Sequence, residues 1–290
     1  MRVVLTGASG QLGSSVVAAL VATGHEVSAW SGSDTGRRGD VALRPMDLTN
    51  LGAIRNALED ADPEVVIHAA ALSSADAVRN DPALGYAVNV EATAALAAWC
   101  GERDRRIIYT STDMVFDGSK AWWNELDRAE PILQYGRLKL EAEAPILAVS
   151  RGLVTRISLL YGPSRSGRET YVERTLQGLR SGVPQTFFED EFRTPLDLET
   201  AGKILVLLAE RDAVGLLHVA GPERLSRFDL VRRQAEALGL DTQLVRANRQ
   251  ADVTLAEPRP ADISMDTSRL RTVLPDLTIP TVEQTMTAPR

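Results

Sequence analysis

The chain has 290 residues, a formal charge of −7, and 44% hydrophobic and 24% charged side chains, enough for one full α/β domain plus a smaller lobe. The negative balance argues against non-specific nucleic-acid binding, which needs a basic face, and no apolar run reaches the roughly 20 residues of a membrane-spanning helix. The only cysteine, Cys100, excludes an internal disulfide or a thiolate metal cluster, and His25, His68 and His218 show no ligand spacing.

Met1–Thr6 runs straight into a glycine turn and reads as a buried strand, not a secretory signal, so the expected location is cytoplasmic. Val3–Leu5 forms the strand, Gly7, Gly10 and Gly13 follow, and Gln11 to Thr23 has a helical pattern leading to a second strand at Glu26–Trp30. Glycines between strand and helix, in a βαβ unit closed within about 30 residues, are the setting of a dinucleotide site. They let the backbone approach a pyrophosphate and aim a helix N-terminus at its charge.

Alternation continues with a helix at Leu51–Asp60, a strand at Glu64–Ala69, a long helix at Pro82–Glu102 and a strand at Arg106–Thr110. A helix over Pro131–Ser150 and a strand over Val154–Leu160 complete it. The pattern predicts a doubly wound, Rossmann-like parallel sheet with helices on both faces. Beyond Gly162 the character changes. Ser164–Glu169 reads as an exposed loop, and helices at Leu198–Arg211 and Arg227–Leu238 flank a strand at Leu216–Ala220. The expected organisation is a dinucleotide-binding domain over 1–162, rejoined by 198–221, and a mainly substrate-binding lobe over 163–290.

The second strand ends at Ala29-Trp30-Ser31 with no acid before Asp34, and Arg37 and Arg38 follow. An acid there would read the ribose 2′-hydroxyl of NAD, whereas Ser31 and a nearby arginine such as Arg37 suit the 2′-phosphate of NADP. NADP is therefore the expected cofactor and NAD the alternative; a solvated arginine pair is the competing reading of Arg37 and Arg38. Asp47 and Ala69-Ala70-Ala71 stand where the third and fourth strands end, which is where ligands lie in such sheets.

Tyr135 and Lys139 are four residues apart in a helix that Pro131 is expected to open, so both share one face. An ammonium beside a phenol lowers the phenol's pKa and suits it to pass a proton to or from a carbonyl oxygen. Thr112, ending the fifth strand, can donate a hydrogen bond to the same oxygen.

These segments resemble the extended short-chain dehydrogenase/reductase family over nearly the whole chain, with dTDP-4-dehydrorhamnose reductases as the nearest pattern. The resemblance rests on 66–71 (VIHAAA), 86–89 (YAVN), 111–118 (STDMVFDG) and 135–139 (YGRLK). It implies that Thr112, Tyr135 and Lys139 form the catalytic triad, that Lys139 also holds the nicotinamide ribose, and that Asn89 supports the site. It further implies that Gly7, Gly10, Gln11, Leu12, Gly13, Asp47, Leu48, Ala69, Ala70 and Ala71 line the cofactor, with Asp113 near the sugar. Leu159 stands where the rhamnose-forming reductases usually show a tryptophan. A second likeness is to the regulatory β subunit of methionine adenosyltransferase, which binds NADP but serves as a partner.

Arg193 and Arg259 lie in segments resembling family signatures; each reads as a clamp on a substrate diphosphate or as an ordinary ion pair. Trp122 and Trp123 follow the catalytic strand in a loop that either covers the sugar or packs the lobes together. The leading expectation is an NADPH-dependent reductase of a nucleotide-linked 4-keto sugar, as a monomer or homodimer. The alternatives are an epimerase or dehydratase, for which Met114 replaces the second acid that the resemblance leads one to expect, and a non-catalytic NADP-binding subunit.

Overall fold

The computed structural model describes residues 1–288, and its first strand, β1 (Arg2–Thr6), shows how the chain is layered. Val3 and Leu5 enter one apolar layer and Val4 the other, as alternation along a strand requires. The strands that follow are β2 (Glu26–Ser31), β3 (Arg37–Arg38), β4 (Val41–Pro45), β5 (Val65–His68), β6 (Arg106–Thr112) and β7 (Gly152–Ile157). Then come β8 (Leu160–Tyr161), β9 (Gln185–Phe188), β10 (Phe192–Arg193), β11 (Leu196–Asp197), β12 (Gly215–Val219), β13 (Leu225–Ser226) and β14 (Val245–Asn248). The helices are α1 (Gln11–Ala22), α2 (Leu51–Ala61), α3 (Ala75–Asn80), α4 (Pro82–Tyr86), α5 (Ala92–Glu102) and α6 (Gln134–Glu141). They continue with α7 (Glu143–Leu147), α8 (Tyr171–Arg180), α9 (Leu198–Ala209), α10 (Arg227–Ala237), α11 (Ser268–Val273) and α12 (Val282–Thr287).

Eight strands form the main sheet in the order β12-β7-β6-β5-β1-β2-β4-β3, parallel throughout except for the β3–β4 edge. Residues of α1 and α9 cover one face, and those of α2, α5 and α7 the other. The chain is thus a doubly wound α/β protein. Strand order reverses direction beside β1, whose neighbours are β2 and β5, and a ligand crevice opens at such a switch point. A third apolar cluster joins Tyr161, α8, Phe187, α10 and α12.

The long helix over Pro82–Glu102 keeps its expected bounds, running through α4, a π-helical turn at Ala87–Glu91 and α5 without leaving helical backbone; such turns insert one residue into the ladder and often mark functional sites. Two expectations about elements need correction. The helix expected from Pro131 starts at Gln134, and it breaks at Ala142 before α7. Pro145 has no N–H to continue the ladder and is tolerated because it falls in the first turn of α7. The strand expected to reach Leu160 stops at Ile157: the Ser158 N–H makes the last ladder bond, to the Val219 carbonyl, the Ser158 hydroxyl donates to Asp113, and the chain re-enters a short strand as β8 at Leu160.

Among the described residues no helix is long and apolar enough to cross a membrane. None of their His, Cys, Asp and Glu side chains gather in threes as metal ligands would.

Candidate active site

A cleft of about 1000 Å³ opens over the ends of β1, β2, β5 and β6. Its floor is the glycine turn. Gly7 has φ +73°, a conformation that favours glycine, and a Cβ there would lie 2.7 Å from the Ala70 nitrogen. A Cβ on Gly13 would lie 2.0 Å from the Gly7 carbonyl oxygen, so the turn, α1 and the tip of β5 approach as closely as backbone allows. Gly10 caps α1 without a side-chain bond, and the first turn holds no acid. Its free N–H groups and positive dipole end suit an anionic pyrophosphate.

The tip of β5 is pinned from below. The Thr93 hydroxyl donates to the Asn89 carbonyl (2.7 Å), so the 2.9 Å contact between His68 Nε2 and Thr93 Oγ1 requires Nε2 to carry the proton. His68 Nδ1 then accepts from Thr6 Oγ1 (2.6 Å), which in turn accepts the Ala70 N–H at 3.1 Å. Burial lowers the His68 pKa to about 3, with Lys139 adding to the effect, so the ring stays neutral. Asn89 does not line the cleft. Its side-chain oxygen accepts the Leu72 N–H at 2.8 Å and its amide donates to the Leu72 carbonyl at 3.2 Å, fixing the chain just after Ala71.

Thr112 ends β6, and Tyr135 and Lys139 rise from α6, all three lining the same cleft as the glycines. Gly136 lets α6 approach this closely: a Cβ there would lie 2.2 Å from the Met114 carbonyl oxygen. Lys139 is buried, with Nζ 4.1 Å from the centroid of the Tyr109 ring, a cation–π geometry. Burial pulls its pKa down to about 7, while Glu143 pushes it back up. The expectation of a lowered Tyr135 phenol is not met by the protein's own groups. Burial, then Asp113, pushes it well above the ordinary tyrosine range.

Asp113 is also buried and faces the cleft. Its carboxylate accepts from Arg193 Nη1 at 2.8 Å, Ser158 Oγ at 2.9 Å and Thr112 Oγ1 at 3.3 Å. Arg193 also reaches Glu191 at 3.3 Å, and Arg259 and Arg227 approach Glu191 at 3.4 and 3.7 Å. Three guanidiniums hold the Glu191 carboxyl below the usual carboxylate range, against the opposing effect of burial. Both arginines read from the sequence as diphosphate clamps are thus engaged in ion pairs; Arg193 lines the cleft, whereas Arg259 is not among its lining residues.

Gln11, Leu12, Ser31, Asp47, Leu48, Ala69, Ala70 and Ala71 all reach the cleft. Arg37 does not. It lies on the edge strand β3 with its guanidinium on the Asp40 carbonyl. Arg38 instead leans back to Asp34 (2.9 Å) and the Ser9 carbonyl (3.4 Å), at the rim of the glycine turn. Trp123 is buried in a stack on Phe116 with ring centroids 4.5 Å apart, and Trp122 is half-exposed outside the cleft, so packing is the role of Trp123. Ser158, which the sequence did not single out, and Arg168, which it left without a role, both line the cleft. Sequence reasoning also missed Glu143, whose place four residues after Lys139 was the available signal.

The sequence profile of the family described as RmlD substrate binding domain matches residues 1–285. The chain belongs to that family. The RmlD family lies within the extended short-chain dehydrogenase/reductase type, and the nicotinamide-dependent oxidoreductase class goes with it. A probable low-salt glycan biosynthesis reductase, Agl14, from Haloferax volcanii is 30% identical, over 99% of this chain and 97% of that protein. Methionine adenosyltransferase 2 subunit beta of Bos taurus is 29% identical, over 94% of this chain and 82% of its own length. The crystal structure of dTDP-4-dehydrorhamnose reductase from Bacillus anthracis in complex with NADP superposes with a TM-score of 0.82 at 21% identity, covering 98% of this chain and 96% of that one.

Proposed function

We propose that this RmlD-family chain reduces a nucleotide-linked 4-keto sugar with NADPH. One observation carries the reading: the glycine turn and the Thr112, Tyr135 and Lys139 side chains line a single cleft. Gly7, Gly10, Gln11, Leu12 and Gly13 would hold the pyrophosphate, and Ser31, Asp47 and Leu48 the adenosine end. Ala69, Ala70 and Ala71 give the cofactor a flat bed, Asn89 fixes the chain beyond it, and Lys139 with Tyr135 holds the nicotinamide ribose. Arg38, whose guanidinium reaches the Ser9 carbonyl at the glycine turn, would meet a 2′-phosphate in place of Arg37. When bound, the nicotinamide supplies hydride to the sugar C4.

The chain's own groups handle the oxygen. Tyr135 gives its proton to the carbonyl oxygen as negative charge develops there, and a protonated Lys139 stabilises the phenolate left behind. The Thr112 hydroxyl, turning its one hydrogen from the long 3.3 Å bond to Asp113, donates to the same oxygen, while Asp113, still held by Arg193 and Ser158, faces the sugar. Burial keeps Tyr135 protonated until that moment, and the Lys139 ammonium has to bring its pKa back toward the working range for the proton to leave. Residues 1–162 with 198–221 carry the cofactor in this reading, and most of the remainder meets the substrate.

The test is loss of nicotinamide absorbance when the protein meets NADPH and a dTDP-4-keto-6-deoxysugar. Consumption supports the reading, and tight NADPH binding without consumption on any keto sugar contradicts it. The likeness to a transferase β subunit favours a second reading, a non-catalytic NADP-binding subunit. Co-purification of a stoichiometric enzyme partner, with no turnover by the isolated chain, would mark that reading.

A further inference from the structure

Among the described residues three cationic side chains line the cleft: Lys139, Arg193 and Arg168. Lys139 is buried, and Arg193 is taken up by Asp113 and Glu191. Arg168 differs from both. It is exposed, and among the described residues no carboxylate pairs with it; its neighbour Glu169 is taken by Arg174 at 3.0 Å. Its backbone is nevertheless anchored. The Arg168 N–H donates to Ser166 Oγ at 3.2 Å, the Ser166 N–H donates to Ser164 Oγ at 3.0 Å, and Ser166 is itself buried. A fixed loop thus presents an unpaired guanidinium to the cleft.

The loop lies on the side of the glycine turn. Gly162 and Thr170, which flank it, line a small cavity of about 120 Å³ together with Gln11, the first residue of α1. Within the loop, Arg165 reaches Glu199 in the first turn of α9 at 3.6 Å. That helix packs closely on α1: a Cβ on Gly202 would lie 2.8 Å from the Ser15 carbonyl carbon. At the end of β2, the Asp34 carboxyl is held below the usual carboxylate range chiefly by the Gly36 N–H, then by Arg38, and Arg168 adds to the lowering.

We propose that Arg168 binds a phosphate of the dinucleotide, so that the cofactor is gripped by the glycine turn on one side and by a guanidinium from beyond Gly162 on the other. The inference rests on the nicotinamide-dinucleotide reading of the cleft, and on neither the sugar nor turnover. The glycine turn and the first turn of α1, residues 7–14, carry no basic side chain, so they offer a phosphate only backbone N–H groups and a partial charge. A planar guanidinium adds a full charge and two parallel donors. An arginine with no carboxylate to leave gives up only side-chain freedom when the phosphate arrives.

Calorimetric titration with fragments tests this without turnover. The probes are ADP-ribose, which carries the pyrophosphate, its 2′-phosphorylated form, and dTDP as the substrate-side nucleotide. Arg168→Ala should bind the 2′-phosphorylated fragment roughly five- to twentyfold more weakly than wild type, and dTDP equally well. An equal loss on ADP-ribose assigns the contact to the pyrophosphate; a loss on the 2′-phosphorylated form alone assigns it to the 2′-phosphate. The gap should narrow as salt is raised, and Arg168→Lys should restore part of it. Arg165→Ala removes only an exposed pair in the same loop, worth little, and should leave all affinities unchanged. An unchanged affinity of Arg168→Ala for the 2′-phosphorylated fragment, an equal loss for dTDP, or an equal loss in Arg165→Ala overturns the proposal. A folded wild type that binds neither cofactor fragment overturns the dinucleotide reading itself, and the role of Arg168 with it.

Discussion

The two walls of the cleft handle burial differently. The wall made of residues 6–13 and 68–71 contains no ionised side chain; it is held by backbone contact and by the neutral Thr6–His68–Thr93 chain. The wall made by Asp113, Ser158, Glu191 and Arg193 contains two buried carboxylates and a buried guanidinium. The first is therefore limited by volume and the second by charge balance. A substitution that adds one methyl group should hurt the first, and one that removes one charge should hurt the second.

The largest expected effect lies on the charged wall. Arg193→Met leaves Asp113 and Glu191 short of their shared cation and should cost about 3–5 kcal/mol in denaturant unfolding. Adding Asp113→Asn should recover part of that loss, and strict additivity of the two substitutions would break the claim that they form one unit. On the neutral wall, Gly13→Ala forces a methyl against the Gly7 carbonyl and should cost about 1–3 kcal/mol. A weaker affinity for nicotinamide dinucleotide should accompany it, and an unchanged melting curve would contradict the close approach.

Arg38 is the charge at the rim of the neutral wall. Arg38→Ala should reduce the preference for NADPH over NADH roughly tenfold, the value of one hydrogen bond to a charged group, whereas Arg37→Ala should leave it unchanged. Equal effects of the two would remove the distinction drawn between them. A further effect concerns pH. His68 has a folded pKa of about 3 against an ordinary 6.5, so between those values the unfolded chain binds a proton that the native chain refuses. Stability should therefore fall as pH drops through that window, at up to roughly 1.4 kcal/mol per pH unit from this group. His68→Phe should flatten that part of the stability–pH curve, and a slope identical to wild type would deny the ring its neutral, buried role.

The glycine turn of the neutral wall was legible in the sequence because its chemistry is local, unlike the Thr6–His68–Thr93 chain behind it, which spans 62 residues. Gly7, Gly10 and Gly13 are three residues apart, and the strand and helix that give them meaning adjoin them. The Tyr135–Lys139 pair was legible for the same reason. The charged wall was not, since Asp113 and Arg193 are 80 residues apart and no periodicity announces which arginine meets which acid. Arg37 and Arg38 were equivalent as neighbours in sequence; the antiparallel β3–β4 edge separates them, turning one toward Asp40 and the other toward Ser9. The break at Ala142 was hidden because helical periodicity runs through it, although Pro145 carried the signal. The phenol of Tyr135 went the other way from expectation because spacing reveals which charges are near but not how much water has been removed.

The central claim is that the phenol of Tyr135 delivers the proton in this cleft. The most direct measurement compares wild type with Tyr135→Phe, both saturated with NADPH, for nicotinamide oxidation by a dTDP-4-keto-6-deoxysugar. The account predicts a loss of roughly 10²–10⁴-fold in turnover, the usual contribution of a positioned general acid, with NADPH affinity retained. Turnover of Tyr135→Phe equal to that of an active wild type would contradict it.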